Sequence, residues 1–239
     1  MKATISIVLT MVLVLSVPLS SFAQQHRRTV PKCEVCAEHG VSQAVVFGTF
    51  ATLHQFQARL NAGQARSRDA QAALTSLRIL FAHLDETGVT KAVEQSLLAN
   101  EEKIIVFSPT RADAEALQKH HANFGINRTI EEETAQLASS TVNDRMQAIA
   151  LIKKDGLHGV YEQILARYEG AAVRLLAMEK SGKPFQLRTV VAQGGGCKDY
   201  ETVAAIFSVP CAFGCAGCCI VAAVAHLAYV ICEQSGGNF

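Results

Sequence analysis

Residues 202–232 read TVAAIFSVPCAFGCAGCCIVAAVAHLAYVIC, a run of 31 residues with no formal charge between Glu201 and Glu233. By length and apolarity alone it has enough residues for a membrane-spanning helix, which needs roughly 20. Pro210, Gly214 and Gly217 interrupt it. Proline removes a backbone donor from a helix interior, and glycine adds backbone freedom, so the middle of the run is a place to stop a helix. The pattern predicts two short apolar helices, roughly 202–209 and 218–232, meeting at a tight corner. A hairpin of that composition exposes too much hydrocarbon to stay in water unless it is covered or stapled.

Cysteines supply the staple. The chain has eight, an even number, and six of them (Cys197, Cys211, Cys215, Cys218, Cys219, Cys232) fall within residues 197–239. Cys197 and Cys232 bracket the apolar run and would close it into a loop. Cys211/Cys215 and Cys215/Cys219 are four apart and Cys215/Cys218 three apart, spacings that share a helix face. Spacing alone does not choose among the pairings. Four thiolates within residues 211–219 would also suit a metal, but disulfides are the default use of cysteine outside the cytoplasm, so neither a metal nor a cofactor is expected.

Outward from the tail, Gly194-Gly195-Gly196 marks a flexible, protease-accessible hinge over 191–196. Upstream of it no cysteine occurs as far back as Cys36, so residues 45–190 form a body that holds together without cross-links. Apolar residues recur at helical spacing over Ala44–Ala62 (Val45, Phe47, Leu53, Phe56, Leu60), Ala70–Leu84 (Leu74, Leu77, Leu80, Phe81) and Val160–Leu176. Lys103–Phe107 reads as the buried end of a connection, with a lone strand as the alternative. Ser108-Pro109 reads as a helix start, and Thr129 with Glu132 as a capping box. Asp155-Gly156 and Gly159 interrupt the stretch that follows, and Ser181-Gly182-Lys183-Pro184 ends it. Four to six helices packed as a bundle are predicted. The expected fold is therefore all-α, a helical bundle body followed by a disulfide-rich apolar helical hairpin.

The body carries no Gly-rich phosphate loop, His-Glu-x-x-His or Gly-x-Ser-x-Gly motif. His120 and His121 point about 100° apart on a helix and are read as a solvated face. His54, His83 and His158 have no carboxylate or thiol at ligand spacing. No catalytic residue is expected.

At the other end, Lys2 precedes an uncharged apolar run from Ala3 to Val17. Small residues Ser21 and Ala23 follow, so residues 1–23 read as an export signal cleaved after Ala23. Residues 24–44 form an N-terminal segment in which a basic, proline-containing leader, Gln24 to Lys32, precedes Cys33-Glu34-Val35-Cys36. A local disulfide is favoured there over redox catalysis, because no thioredoxin-like βαβ pattern surrounds it. With Lys2 removed, 21 basic and 21 acidic residues balance, so there is no electrostatic case for nucleic acid. The mature protein is expected to be secreted or extracytoplasmic.

Pro210-Cys211-Ala212-Phe213-Gly214-Cys215-Ala216 resembles the Cys-x3-Cys, small-residue and glycine pattern of the haloarchaeal cysteine-rich halocin precursors. The whole tail is similar in character to the sporulation-delaying-protein toxins. The resemblance covers about residues 197–239 and implies a bacteriocin precursor whose hydrophobic, disulfide-stapled C-terminal peptide is released to act on membranes. Its implied partners are the lipid of a target cell, a processing protease and an immunity protein. The tail departs from cationic antimicrobials in carrying Lys198 against Asp199, Glu201 and Glu233, so membrane activity would come from apolar burial. Two other functions fit the sequence: an exported helical interaction protein anchored at 202–232, and an extracytoplasmic thiol protein using Cys33 and Cys36.

Overall fold

The structure, a computed structural model, describes residues 39–182, 197–212 and 214–234. Among these there are nine helices and no strand, so the protein is all-α. The body comprises α1 (Gln43–Asn61), α2 (Ser67–Glu86), α3 (Val89–Ala99), α4 (Glu101–Ile105), α5 (Arg111–Asn123), α6 (Ile130–Ala138) and α7 (Val142–Ser181). The tail folds as α8 (Lys198–Ala212) and α9 (Ala216–Gln234).

Local chemistry accounts for most of the boundaries. Thr110, Thr129 and Thr141 each accept a hydrogen bond from the backbone amide three residues on, and Asp113, Glu132 and Asp144 reach back to the threonine amides. Each such box satisfies two of the donors that a helix start leaves open. Gly88, at φ +75°, separates α2 from α3, and Gly182, at φ +66°, ends α7 in the left-handed conformation that glycine adopts without steric cost. Within α7, Gly156 at φ +67° breaks the helix. The Leu157 amide at the restart is capped by the Glu94 carboxylate of α3.

The predicted boundaries hold for α1, α2, the Thr129 box, the break at Gly156 and the end at Ser181-Gly182, and differ elsewhere; α8 begins before 202 and runs through Pro210 to Ala212, so the corner falls after the proline. Lys103–Phe107 is not a strand: Lys103–Ile105 belong to a further helical turn, α4, which buries Ile104, and Val106 and Phe107 lead out of it. Ser108-Pro109 lies before the helix start, which is Thr110, because Thr110 has Asp113 at the position that completes a box. Gly159 stays helical. The body has seven helices rather than four to six, since the short turns at Gly88 and Asn100 divide one apolar stretch into three elements.

Helix α2 lies between α1 and α7, and their facing residues Leu53, Phe56, Leu60, Leu74, Leu77, Leu80, Leu84, Leu157 and Ile164 are all but inaccessible to solvent. Phe81 stacks on Tyr161 at 4.0 Å between ring centroids, and Phe50 on Phe124 at 4.6 Å. Each fully buried Leu or Phe contributes on the order of 1.5–3 kcal/mol. The tail completes this core: α9 packs against α1, α3 and α5, and α8 against α4, α5, α6 and α7.

Candidate functional site

The feature that sets this fold apart is where the uncharged run ends up. Helix α9 contains the one window among the described residues, Ala216–Glu233, long and apolar enough to cross a membrane. In the fold it is a core helix: Ile220, Val221, Ala222, Ala223, Val224 and Ala225 are fully buried. On α8, Ala204, Ala205, Ile206, Phe207 and Val209 are equally inaccessible. The hairpin is thus covered on several sides by body helices, and body and tail share one core cluster.

Three disulfides bind the hairpin to itself and none of them ties it to the body. Cys197–Cys232 closes its open end across a separation of 35 residues, with Cα atoms 5.7 Å apart. At the corner, Cys211–Cys219 joins the last turn of α8 to the first turn of α9, and Cys215–Cys218 spans the helix start, with Cα–Cα distances of 4.8 and 5.3 Å. The bracketing pair and the 215/218 pair were among the pairings that spacing allowed. Cys211–Cys219 was left open with the rest and not singled out by helix-face spacing, because it forms when the corner turns the two helix ends toward each other. A loop the size of that closed by Cys197–Cys232 loses about 4 kcal/mol of unfolded-state freedom in the chain-entropy picture. The sulfurs that could have formed a thiolate cluster are taken up in these pairs. An imidazole nitrogen of His120, on α5, lies within 4.8 Å of the Cys211 and Cys219 sulfurs. Cys33, Cys36, Ala23, Gly194, Gly195 and Gly196 lie outside the described residues.

Polar contacts hold the hairpin at two further places. The Tyr200 hydroxyl donates to the Gln163 carbonyl of α7 at 3.3 Å, and the Arg167 guanidinium lies over the Tyr200 ring at 5.6 Å from its centroid. His226, the only histidine in the uncharged run, is 6% exposed and meets a buried network at the start of α6. Arg128 Nη1 donates to His226 Nδ1 at 3.4 Å and to Gln136 Oε1, and Nη2 donates to the Glu132 carbonyl at 2.8 Å. Because a guanidinium cannot accept, His226 presents a lone pair at Nδ1 and carries its proton on Nε2. The His121 ring lies 5.7 Å from that of His226, and His121 Nδ1 donates to Glu133 Oε1 at 2.7 Å. Glu133 Oε2 is 3.8 Å from Arg128 Nη1.

Burial, then the neighbouring charges of Arg128 and His121, push the His226 pKa down to about 2. The imidazole is therefore neutral across the ordinary pH range. The expectation that His120-His121 forms a solvated face fails for His121, which is fully buried. Gly125 turns the chain after α5, so that α6 folds back and brings Glu133 over His121. The network as a whole escaped the sequence reading. Its one visible signal was His226, an ionisable side chain in a run that otherwise avoids charge. Three further histidines make local contacts: the Ser42 amide donates to His83 Nε2 at 2.8 Å, His54 Nε2 lies 2.8 Å from the Phe124 carbonyl oxygen, and the exposed His158 sits 3.5 Å from Asp85.

No family model matches the chain, and neither does any curated protein or solved structure.

Proposed function

We propose that the chain is the secreted precursor of a hydrophobic, disulfide-stapled, bacteriocin-like peptide, with the helical body keeping that peptide soluble and inactive until it is released. The observation that carries the proposal is the confinement of all three disulfides among the described residues to a hairpin whose longer helix is membrane-length and apolar, yet buried among body helices. A core that only had to be stable would gain most from cross-links joining it to the rest of the fold. Here the cross-links make the hairpin a unit that keeps its shape once separated. The body supplies apolar surface on the outside and a polar contact at His226, which is what a carrier for such a segment needs. Export by an N-terminal signal and cleavage near Gly194-Gly195-Gly196 complete the scheme.

Mass spectrometry of the medium of a producing culture tests it. The expected species is a fragment that begins near Cys197 and is six hydrogens lighter than its fully reduced form. Recovery of only the full-length mature chain through all growth phases would overturn the scheme. The membrane-length window of α9 also keeps an anchored interaction protein in view. That reading requires the intact chain to stay with membranes through carbonate extraction.

A further inference from the structure

The corner of the hairpin contains a second Cys-x-x-Cys, Cys215-Ala216-Gly217-Cys218, at the start of α9. Five of the six described half-cystines are inaccessible, with Cys197 the most exposed at 3%. Cys215 alone is partly exposed. It opens onto a cleft of about 490 Å³ lined by Ser96, Asn100, Lys103, Pro210, Gly214 and Cys215, so the body helices α3 and α4 form one wall and the corner the other. The backbone amide of Cys218 lies 3.3 Å from Cys215 Sγ and points its hydrogen at it. A donor in that position stabilises negative charge on this sulfur, and the first turn of α9 does the same for Cys218. Lys103 adds a cation to the cleft from which a thiolate would approach.

We propose that Cys215–Cys218 is a thiol–disulfide exchange site whose co-reactant is a dithiol or a low-molecular-weight thiol, entering through this cleft. The thiolate of the reductant attacks Cys215 Sγ and forms a mixed disulfide with it. The Cys215–Cys218 bond breaks, its electron pair goes to Cys218 Sγ, and that sulfur takes a proton from solvent. A second thiolate of the reductant attacks the external sulfur of the mixed disulfide and expels Cys215 as a thiolate held by the Cys218 amide. The balance is one protein disulfide reduced and two reductant thiols oxidised to a disulfide, a two-electron exchange that an oxidised partner of the same class reverses. Attack begins at Cys215 because Cys218 is fully buried. Cys211–Cys219 and Cys197–Cys232 are spared because no thiol reaches their sulfurs in the folded protein. The activity goes beyond the peptide-precursor reading and does not depend on release of the hairpin.

The test uses the oxidised full-length mature protein. It is exposed to reduced glutathione or dithiothreitol for increasing times, quenched with acid and an alkylating agent, and mapped by mass spectrometry. Cys215 and Cys218 are expected to acquire label about tenfold or more faster than the other four, with the trapped glutathione adduct on Cys215. Lys103→Gln is expected to slow the glutathione reaction and weaken its dependence on ionic strength while leaving the thermal transition in place. Simultaneous loss of all three disulfides, later loss of Cys215–Cys218 than of the others, or an adduct on Cys218 would overturn the proposal. The first two outcomes would show that reduction follows unfolding rather than entry through the cleft.

Discussion

At the scale of single residues, Gly217 and Glu133 carry more of the packing between helices than their size or position advertises. A Cβ placed on Gly217 would lie 2.6 Å from Val93 Cγ2 and 2.9 Å from Val89 Cγ1, both on α3 and both on stiff β-branched side chains. Gly217→Ala therefore forces α9 away from α3 and is expected to destabilise the protein by about 1–3 kcal/mol, measured by urea denaturation at constant m. An unchanged midpoint would mean that the helices do not approach so closely. Glu133 is fully buried between His121 and Arg128, so Glu133→Ala leaves the fully buried His121 Nδ1 without its acceptor and the partly buried Arg128 with one partner fewer, and is expected to cost about 3–5 kcal/mol. Glu133→Gln keeps the shape and one acceptor and should cost less. Neither residue was legible from sequence as anything but a helix glycine and one acid of a Glu-Glu-Glu run, because what matters is which helix lies opposite.

At the scale of elements, caps and breaks behave as their local chemistry requires, while contacts between helices respond to pH. Thr141→Ala removes the acceptor for the Asp144 amide at the start of α7 and should cost about 1 kcal/mol, seen as a lower melting temperature. The contact between α9 and the α5–α6 corner is expected to depend on pH through His226. His226 is neutral in the fold, with a pKa near 2, and takes up a proton in the unfolded chain below its ordinary value of 6.5. The unfolded state thus binds more protons as pH falls from 6.5 toward 2. This group's contribution is intact above pH 6.5 and is lost on acidification by about 1.4 kcal/mol per pH unit. Denaturation midpoints followed from pH 7.5 to pH 4.5 should fall, and His226→Leu should remove that part of the slope. An identical slope in the variant would show that His226 does not sense the pH.

At the scale of the whole molecule, the hairpin is part of the core and, in the proposed function, also the cargo. A chain ending before Cys197 would lack α8 and α9, leaving the inner faces of α1, α3 and α5 without a partner. Such a chain is expected to keep helical circular dichroism, bind a hydrophobic dye and lose cooperative thermal unfolding, as a loosely packed compact state does. A sharp, dye-free transition would mean that the body folds as an independent domain. The complementary measurement uses vesicles: oxidised peptide 197–239 should release an entrapped dye from neutral as well as anionic vesicles, whereas the full-length mature chain should not. Neutral vesicles are the informative case, since the peptide's acidic balance offers no attraction to anionic lipid.

The chain's one-dimensional signals were enough for the fold class, the hairpin with its corner near Pro210–Gly217, the first two helices, the Thr129 cap and the break at Gly156. Each rests on charge, periodicity or capping within a few residues, where neighbours along the chain are also neighbours in space. Partnership across the fold was decided only in three dimensions. Arg128 meets His226 across 98 positions, Gly217 meets Val93, and Cys211 finds Cys219 only because a corner turns it there. Burial of a polar or reactive group depends on which helix faces it, and that choice minimises exposed apolar surface over the whole chain at once, so no local stretch records it.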